Sequence, residues 1–128
     1  MADVSIFNVS EGSYDSLTTS AIVASAATGT IPCENGKDNR MAILVINGDG
    51  SAIKFVAKAP TTGGGVRSSL GDLKIDIAAG DQALVPLFDT ARFKVIADND
   101  IDYALTDDSD VALGATPLGN VTLVAMQL

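Results

Sequence analysis

Hydrophobic and polar residues alternate with a period of two over much of this chain, and the departures from that rule carry information too. Residues 40–47, RMAILVIN, contain an unbroken apolar run in which Ala, Ile, Leu and Val fill both parities, the pattern of a central strand covered on both faces. NGDGS follows. Because Asn and Gly accept the positive φ of tight turns, it predicts a hairpin into the next strand. That strand, AIKFVAKA, places Ile53, Phe55, Ala57 and Ala59 on one side and Lys54 and Lys58 on the other, so one face is core and the other wet. Pro60 ends it, and PTTGGGVRSS predicts a mobile surface loop.

The stretch LKIDIAAGDQALVPLFDTARFKV reads as a further hairpin. Leu73, Ile75 and Ile77 face inward, Lys74 and Asp76 outward, Gly80 allows the turn, and QALVPL returns until Pro86 marks an edge position or the strand's end. RFKVIA and IDYAL predict short strands separated by DND, and NVTLVAMQL a closing strand with Val121, Leu123 and Ala125 on one face. Strands recurring every ~8 to 12 residues, with no long helical period to compete, predict an all-β chain folded as an antiparallel sandwich or jelly roll. The expected core includes Ile43, Val45, Ile53, Phe55, Ile75, Ile77, Leu84, Val95, Leu123 and Val124.

The N-terminal part divides from the rest. DVSIFNV has the pattern of a strand, whereas LTTSAIVASAATGT is uncharged and rich in small residues, compatible with an edge strand, a short helix or an extended arm. The expected organisation is therefore an arm or edge strand over residues 1–30 and a β-sandwich domain over 31–128. Small side chains allow close backbone approach. The segment either fills an edge of the core or is a contact arm ordered by a neighbouring subunit, with Ile22 and Val23 as its anchors and Leu17 a further candidate contact.

Composition narrows the function. At 128 residues with 47% hydrophobic but only 5% aromatic content, the chain suits one domain with a tightly packed core of small and branched side chains. A formal charge of -8, with eight Lys and Arg spread along the sequence, argues against nucleic acid and against anionic membrane surfaces as partners. No apolar run approaches the ~18 residues of a membrane span. The first 36 residues hold no Lys or Arg and Cys33 is the single cysteine, which predicts a protein made and first folded in a reducing cytoplasm, with Cys33 a buried or half-buried small residue and not a reactive thiol.

Candidate chemistry is sparse. The chain has no His, which excludes His-based triads and His-ligated metals, and Cys33 has no imidazole to activate it. TTGGGVRSS lacks the Gly-Lys-Ser/Thr ending of a phosphate loop and lies between strands. The acidic cluster Asp98, Asp100, Asp102, Asp107, Asp108 and Asp110 begins like a Ca²⁺ loop, but Tyr103 and Ser109 stand where Gly and the closing acid belong. A solvated strand face and an exposed turn account for it better. Neither a catalytic constellation nor a cofactor or metal requirement is expected.

The order ENGKDNRMAILVIN, a β-hairpin, LKIDIAAGDQALVPLFDTARF, a short strand pair and a final VTLVAMQL resembles a group of small bacteriophage virion proteins of the head decoration or auxiliary capsid type, over residues 31–128. It departs from them at Val85, where those relatives often carry Gly before the Pro. The resemblance implies a jelly-roll-like sandwich with no enzymatic activity, a capsid decoration or cement protein in the virion, homo-oligomeric and bound to the major capsid protein on the outer shell. A ligand- or carbohydrate-binding β-sandwich module and a collar or tail component are the alternatives. In this setting Leu17, Ile22 and Val23 become candidate subunit or capsid contacts.

Overall fold

The computed structural model describes residues 2–3, 6–8, 22–23, 26–33, 40–65, 67–88, 90–96 and 98–127. The strands are β1 (Ala2–Asp3), β2 (Ile6–Asn8), β3 (Ile22–Val23), β4 (Thr28–Pro32), β5 (Met41–Asn47), β6 (Ile53–Ala57), β7 (Leu73–Ile77), β8 (Gln82–Pro86), β9 (Lys94–Val95), β10 (Asp100–Thr106) and β11 (Val121–Gln127). They form two sheets. One runs β1-β4-β10-β6-β7, with β9 also on β10; the other runs β2-β11-β5-β8, with β3 beside β2 on the same flank of β11. β4, across the 30/31 boundary drawn from the sequence, is an interior strand between β1 and β10.

The antiparallel pairs β3·β11, β4·β10, β5·β8 and β6·β7 are nested. From β3 on, the described strands follow one long hairpin, folded at the β6–β7 connection and rolled so that successive pairs alternate between the sheets, while β1 and β2 join β4 and β11 in parallel. This is the jelly-roll arrangement, and it closes the all-β sandwich expected from strand spacing. Inward residues of both sheets meet in one core containing Ile31, Ile43, Val45, Ile53, Phe55, Ile77, Val85, Ile101, Leu105 and Leu123. Phe55 and Tyr103 stack at its centre with ring centroids 5.8 Å apart. Cys33 is buried there as well.

Both hairpins expected from turn chemistry are absent. NGDGS joins β5 in one sheet to β6 in the other, and residues 78–81 join β7 to β8 across the same gap. Gly80 does take a positive φ of 73°, but that freedom serves an arch between sheets. Leu84, expected in the core, is 61% exposed; on β8 it is Ala83 and Val85 that face inward, with Leu87 just beyond. Val124 is buried but on the outward parity of β11, and Val95 is half-buried. RFKVIA is one helical turn, Thr90–Phe93, followed by the two-residue β9. There Phe93 is buried, while Arg92 lies over its ring at 4.8 Å and donates through Nε to the Gly71 carbonyl at 2.8 Å. This ties down one end of the Gly- and Ser-rich loop, whose Gly64 also bridges Val95.

Asn47 explains why the arches stay together. It is fully buried, and its Nδ2 donates to the carbonyls of Ser51 (2.9 Å), Ile77 (3.3 Å) and Ala78 (3.1 Å). Its Oδ1 accepts the Asp49 amide at 3.0 Å, an Asx turn. A third connection, residues 107–120 between β10 and β11, joins at the same end: Gly48 N–H donates to Asn120 O at 2.8 Å, and Asn120 Nδ2 to Asp49 Oδ1 at 2.9 Å. A buried amide thus satisfies backbone groups that the sheet-to-sheet crossings would leave unpaired.

A candidate docking face

The two outward faces of the sandwich differ in charge. On the β4-β10-β6-β7 sheet the outward parity carries Asp100, Asp102, Lys54, Lys74 and Asp76 among Thr, Ala, Val and Pro. Lys54 and Lys74 both donate to Asp110 Oδ1, at 3.3 and 3.2 Å. The hydrogen bond from Lys74, then that from Lys54, with the charges of both, hold the Asp110 carboxyl below its usual 3.8. Asp110 sits in the left-handed region at φ 63°, inside a loop closed by Asp107, whose Oδ1 accepts the amides of Ser109 and Val111. Of the cluster, Asp100 and Asp102 are thus half-buried on the outward parity of β10, Asp107, Asp108 and Asp110 belong to the self-bonded turn, and Asp98 stands in the turn before the strand. Among the described residues no three His, Cys, Asp or Glu side chains converge as a metal site would need.

On the opposite face the described outward residues of β8, β5 and β11 carry no charge. Register places its outward residues in three rows across β8, β5 and β11: Pro86–Ala42–Met126, Leu84–Leu44–Val124 and Gln82–Ile46–Thr122. Ala42 and Val124 are covered, at 3% and 2% exposure, whereas the β8 side is open: Leu84 is exposed, and Phe88, two residues past Pro86, is 50% exposed. The long apolar run RMAILVIN therefore feeds two surfaces, the core through Ile43 and Val45 and this face through Leu44 and Ile46.

Among the described strands β8 is also the edge of its sheet, and that edge offers little to a further strand. Leu87 N donates to Met41 O and Asn47 N to Asp81 O, so in this antiparallel ladder the odd residues of β8 bond to β5 and the even ones turn their backbone groups to the free edge. Pro86 has no N–H to offer there, and the Gln82 N–H is taken by Asp81 Oδ1 at 2.8 Å. Leu84 is left as the one strand residue presenting an N–H outward. Pro86 removes no ladder bond, and strand addition is discouraged. Whatever meets this side of the molecule meets side chains.

Leu17 lies outside the described residues. Ile22 and Val23 form β3, where Ile22 is in register with Leu123 and Val23 with Thr122, a position in the outward row that ends at Gln82. The sequence singled out these anchors but not Leu84 and Phe88, which the strand pattern of QALVPLF places no differently from core residues. Elsewhere the surface offers shallow concavities. One of about 500 Å³ is lined by Ala59, Pro60, Thr61, Ser68, Ser69, Gly71 and Asp72, with Asp72 Oδ1 already accepting the Ala59 amide at 2.7 Å. No described helix is long and apolar enough to cross a membrane. No protein-family model, curated protein or solved structure matches the chain.

Proposed function

We propose that this protein is a non-enzymatic structural component of a bacteriophage virion, a decoration protein that lies on the outside of the head and contacts the major capsid protein through the uncharged β8-β5-β11 face. One observation supports an apolar contact: in a chain of charge -8 the described outward residues of β8, β5 and β11 are uncharged and Leu84 and Phe88 stand open beside them, while the opposite face is charged; the virion setting rests on the resemblance of residues 31–128. An apolar contact costs no charge desolvation. Copies crowded on a shell would then repel one another only through their outer, wet surfaces.

The face is small. Three strands at ~4.8 Å spacing and five residues at ~3.4 Å rise would span roughly 250 Å², and with Ala42 and Val124 already covered the open β8 side offers less, well short of the ~800 Å² per partner of a stable one-to-one complex. Binding of this kind gains strength from repetition, as in a homo-oligomer engaging several equivalent sites on a symmetric shell. The test is cosedimentation of the purified protein with undecorated shells of its own phage across a salt series. Binding that persists or improves as salt rises supports an apolar contact between acidic copies. Absence of binding, or a steep loss with salt, would overturn the proposal.

A further inference from the structure

We propose that Asn47 is a conditional deamidation site, closed in the folded protein and open in the unfolded chain, so that time spent unfolded is converted into a covalent block on refolding. The reaction needs only water. The Gly48 backbone nitrogen, after losing its proton to base, attacks Cγ of Asn47. The Cγ–Nδ2 bond breaks, ammonia leaves, and a five-membered succinimide forms; water then opens the ring to Asp or isoaspartate at position 47. Glycine is the residue that least hinders this attack, because no Cβ shields its nitrogen. Asn47-Gly48 is therefore the fast version of the reaction wherever the backbone is free.

In the folded protein every participant is engaged. The nucleophile is tied down because Gly48 N–H donates to Asn120 O at 2.8 Å. The leaving group is held by Nδ2 hydrogen bonds to Ser51, Ile77 and Ala78, and Oδ1 by the Asp49 amide. Swinging Cγ onto the Gly48 nitrogen would break all of these in a fully buried side chain. Space is short as well: even a Cβ on Gly48 would stand 2.9 Å from the Asn120 carbonyl oxygen.

The product cannot return to this site at neutral pH. A carboxylate at position 47 would keep one oxygen on the Asp49 amide but aim the other, an acceptor, at the carbonyls that Nδ2 now serves, buried and without a donor between them. Isoaspartate would in addition lengthen the backbone at the point where the arches meet. Unfolding followed by chemical modification is a general route to irreversibility, and here the modified residue is the one the crossings depend on.

The experiment is peptide-resolved mass spectrometry of the 1 Da gain at Asn47, at pH 8, on the full chain with and without 8 M urea; peptide resolution is needed because a second Asn-Gly pair stands at Asn35-Gly36. If reaction runs only through the unfolded state, the folded chain should deamidate slower by about a thousand-fold or more, its unfolded fraction being that small. Phe55→Ala, remote from the reacting atoms, should speed the native reaction by about a hundred-fold or more through its loss of stability alone. Comparable rates with and without urea would overturn the protection. The second half is tested with Asn47→Asp, which should fail to regain the native fold at pH 7; refolding and melting like the parent would overturn the block.

Discussion

Replacing Asn47 with Ala removes the side chain that joins the crossings at one end of the sandwich, and the structure sets the size of the loss. Nδ2 carries two hydrogens and reaches three carbonyls, so one hydrogen is shared between two of them and the group counts as two bonds; Oδ1 adds the bond from Asp49. Three bonds at a net ~1 kcal/mol each give about 3 kcal/mol, and the desolvated Ile77 carbonyl keeps the figure from falling much lower. At this chain length each kcal/mol lowers Tm by roughly 3–5 °C, so the variant should melt about 9–15 °C below the parent. Urea titration followed by circular dichroism is the assay, with an unchanged slope certifying that both chains unfold from the same compact state. A loss under about 0.5 kcal/mol would mean that water replaces the amide without cost, and the role given to Asn47 would be wrong.

Other outcomes follow from the same geometry. Phe55→Ala, in the centre of the core against Tyr103, should cost about 3–5 kcal/mol in the same titration. Gly48→Ala forces the Asn120 carbonyl away from its present contact and should cost about 1–3 kcal/mol, whereas Gly50→Ala, with nothing within 4 Å of the new methyl, should leave stability close to the parent's. Asp110 has its folded-state pKa lowered below 3.8 by Lys74 and Lys54, so its contribution is present above that pH and lost as pH falls through the folded value. Melts of parent and Asp110→Asn should therefore differ at pH 7 and converge at the acid end, and less so at pH 7 in high salt because the group is exposed; a difference that grew toward acid would contradict the assignment.

How much of this was legible in the sequence depends on the range of the interaction involved. An unbroken apolar run located β5 and alternation located β6, β7, β10 and β11, because which side a residue faces is a local property of a strand. Pairing is not local. NGDGS and AAGD report that the backbone must turn, and a hairpin and a sheet-to-sheet arch ask for the same residues, so turn chemistry could not tell them apart. The parity of β8 was hidden for a related reason: Ala83, Leu84, Val85 and Leu87 are apolar at both parities, and only the position of β5 beside the strand decides that Leu84 faces out.

The docking face shows the same division. That Ala42, Leu44 and Ile46 want cover was readable from RMAILVIN, and the apolar Val124 and Met126 were visible in the closing strand. That these residues form continuous rows rests on β11 lying beside β5, a pairing of segments some 80 residues apart (124 against 44). Asn47 was readable as a turn residue, but its bonds to Ile77 and Ala78 depend on the neighbouring arch. Leu17, Ile22 and Val23 came from composition alone, and of these the described backbone places Ile22 and Val23 on the flank of β11.

The most direct test of the account is the binding of Leu84→Asp/Phe88→Asp to undecorated shells, beside Lys58→Glu as a charge change away from the uncharged face. Leu84 and Phe88 are exposed, so the double variant should keep the parent's circular dichroism spectrum and melt within a few degrees of it. Two carboxylates placed on the open β8 side of an apolar contact should lower shell binding by at least about ten-fold, equivalent to 1.4 kcal/mol, while Lys58→Glu binds like the parent. Parental binding by a folded Leu84→Asp/Phe88→Asp would contradict the assignment of this face.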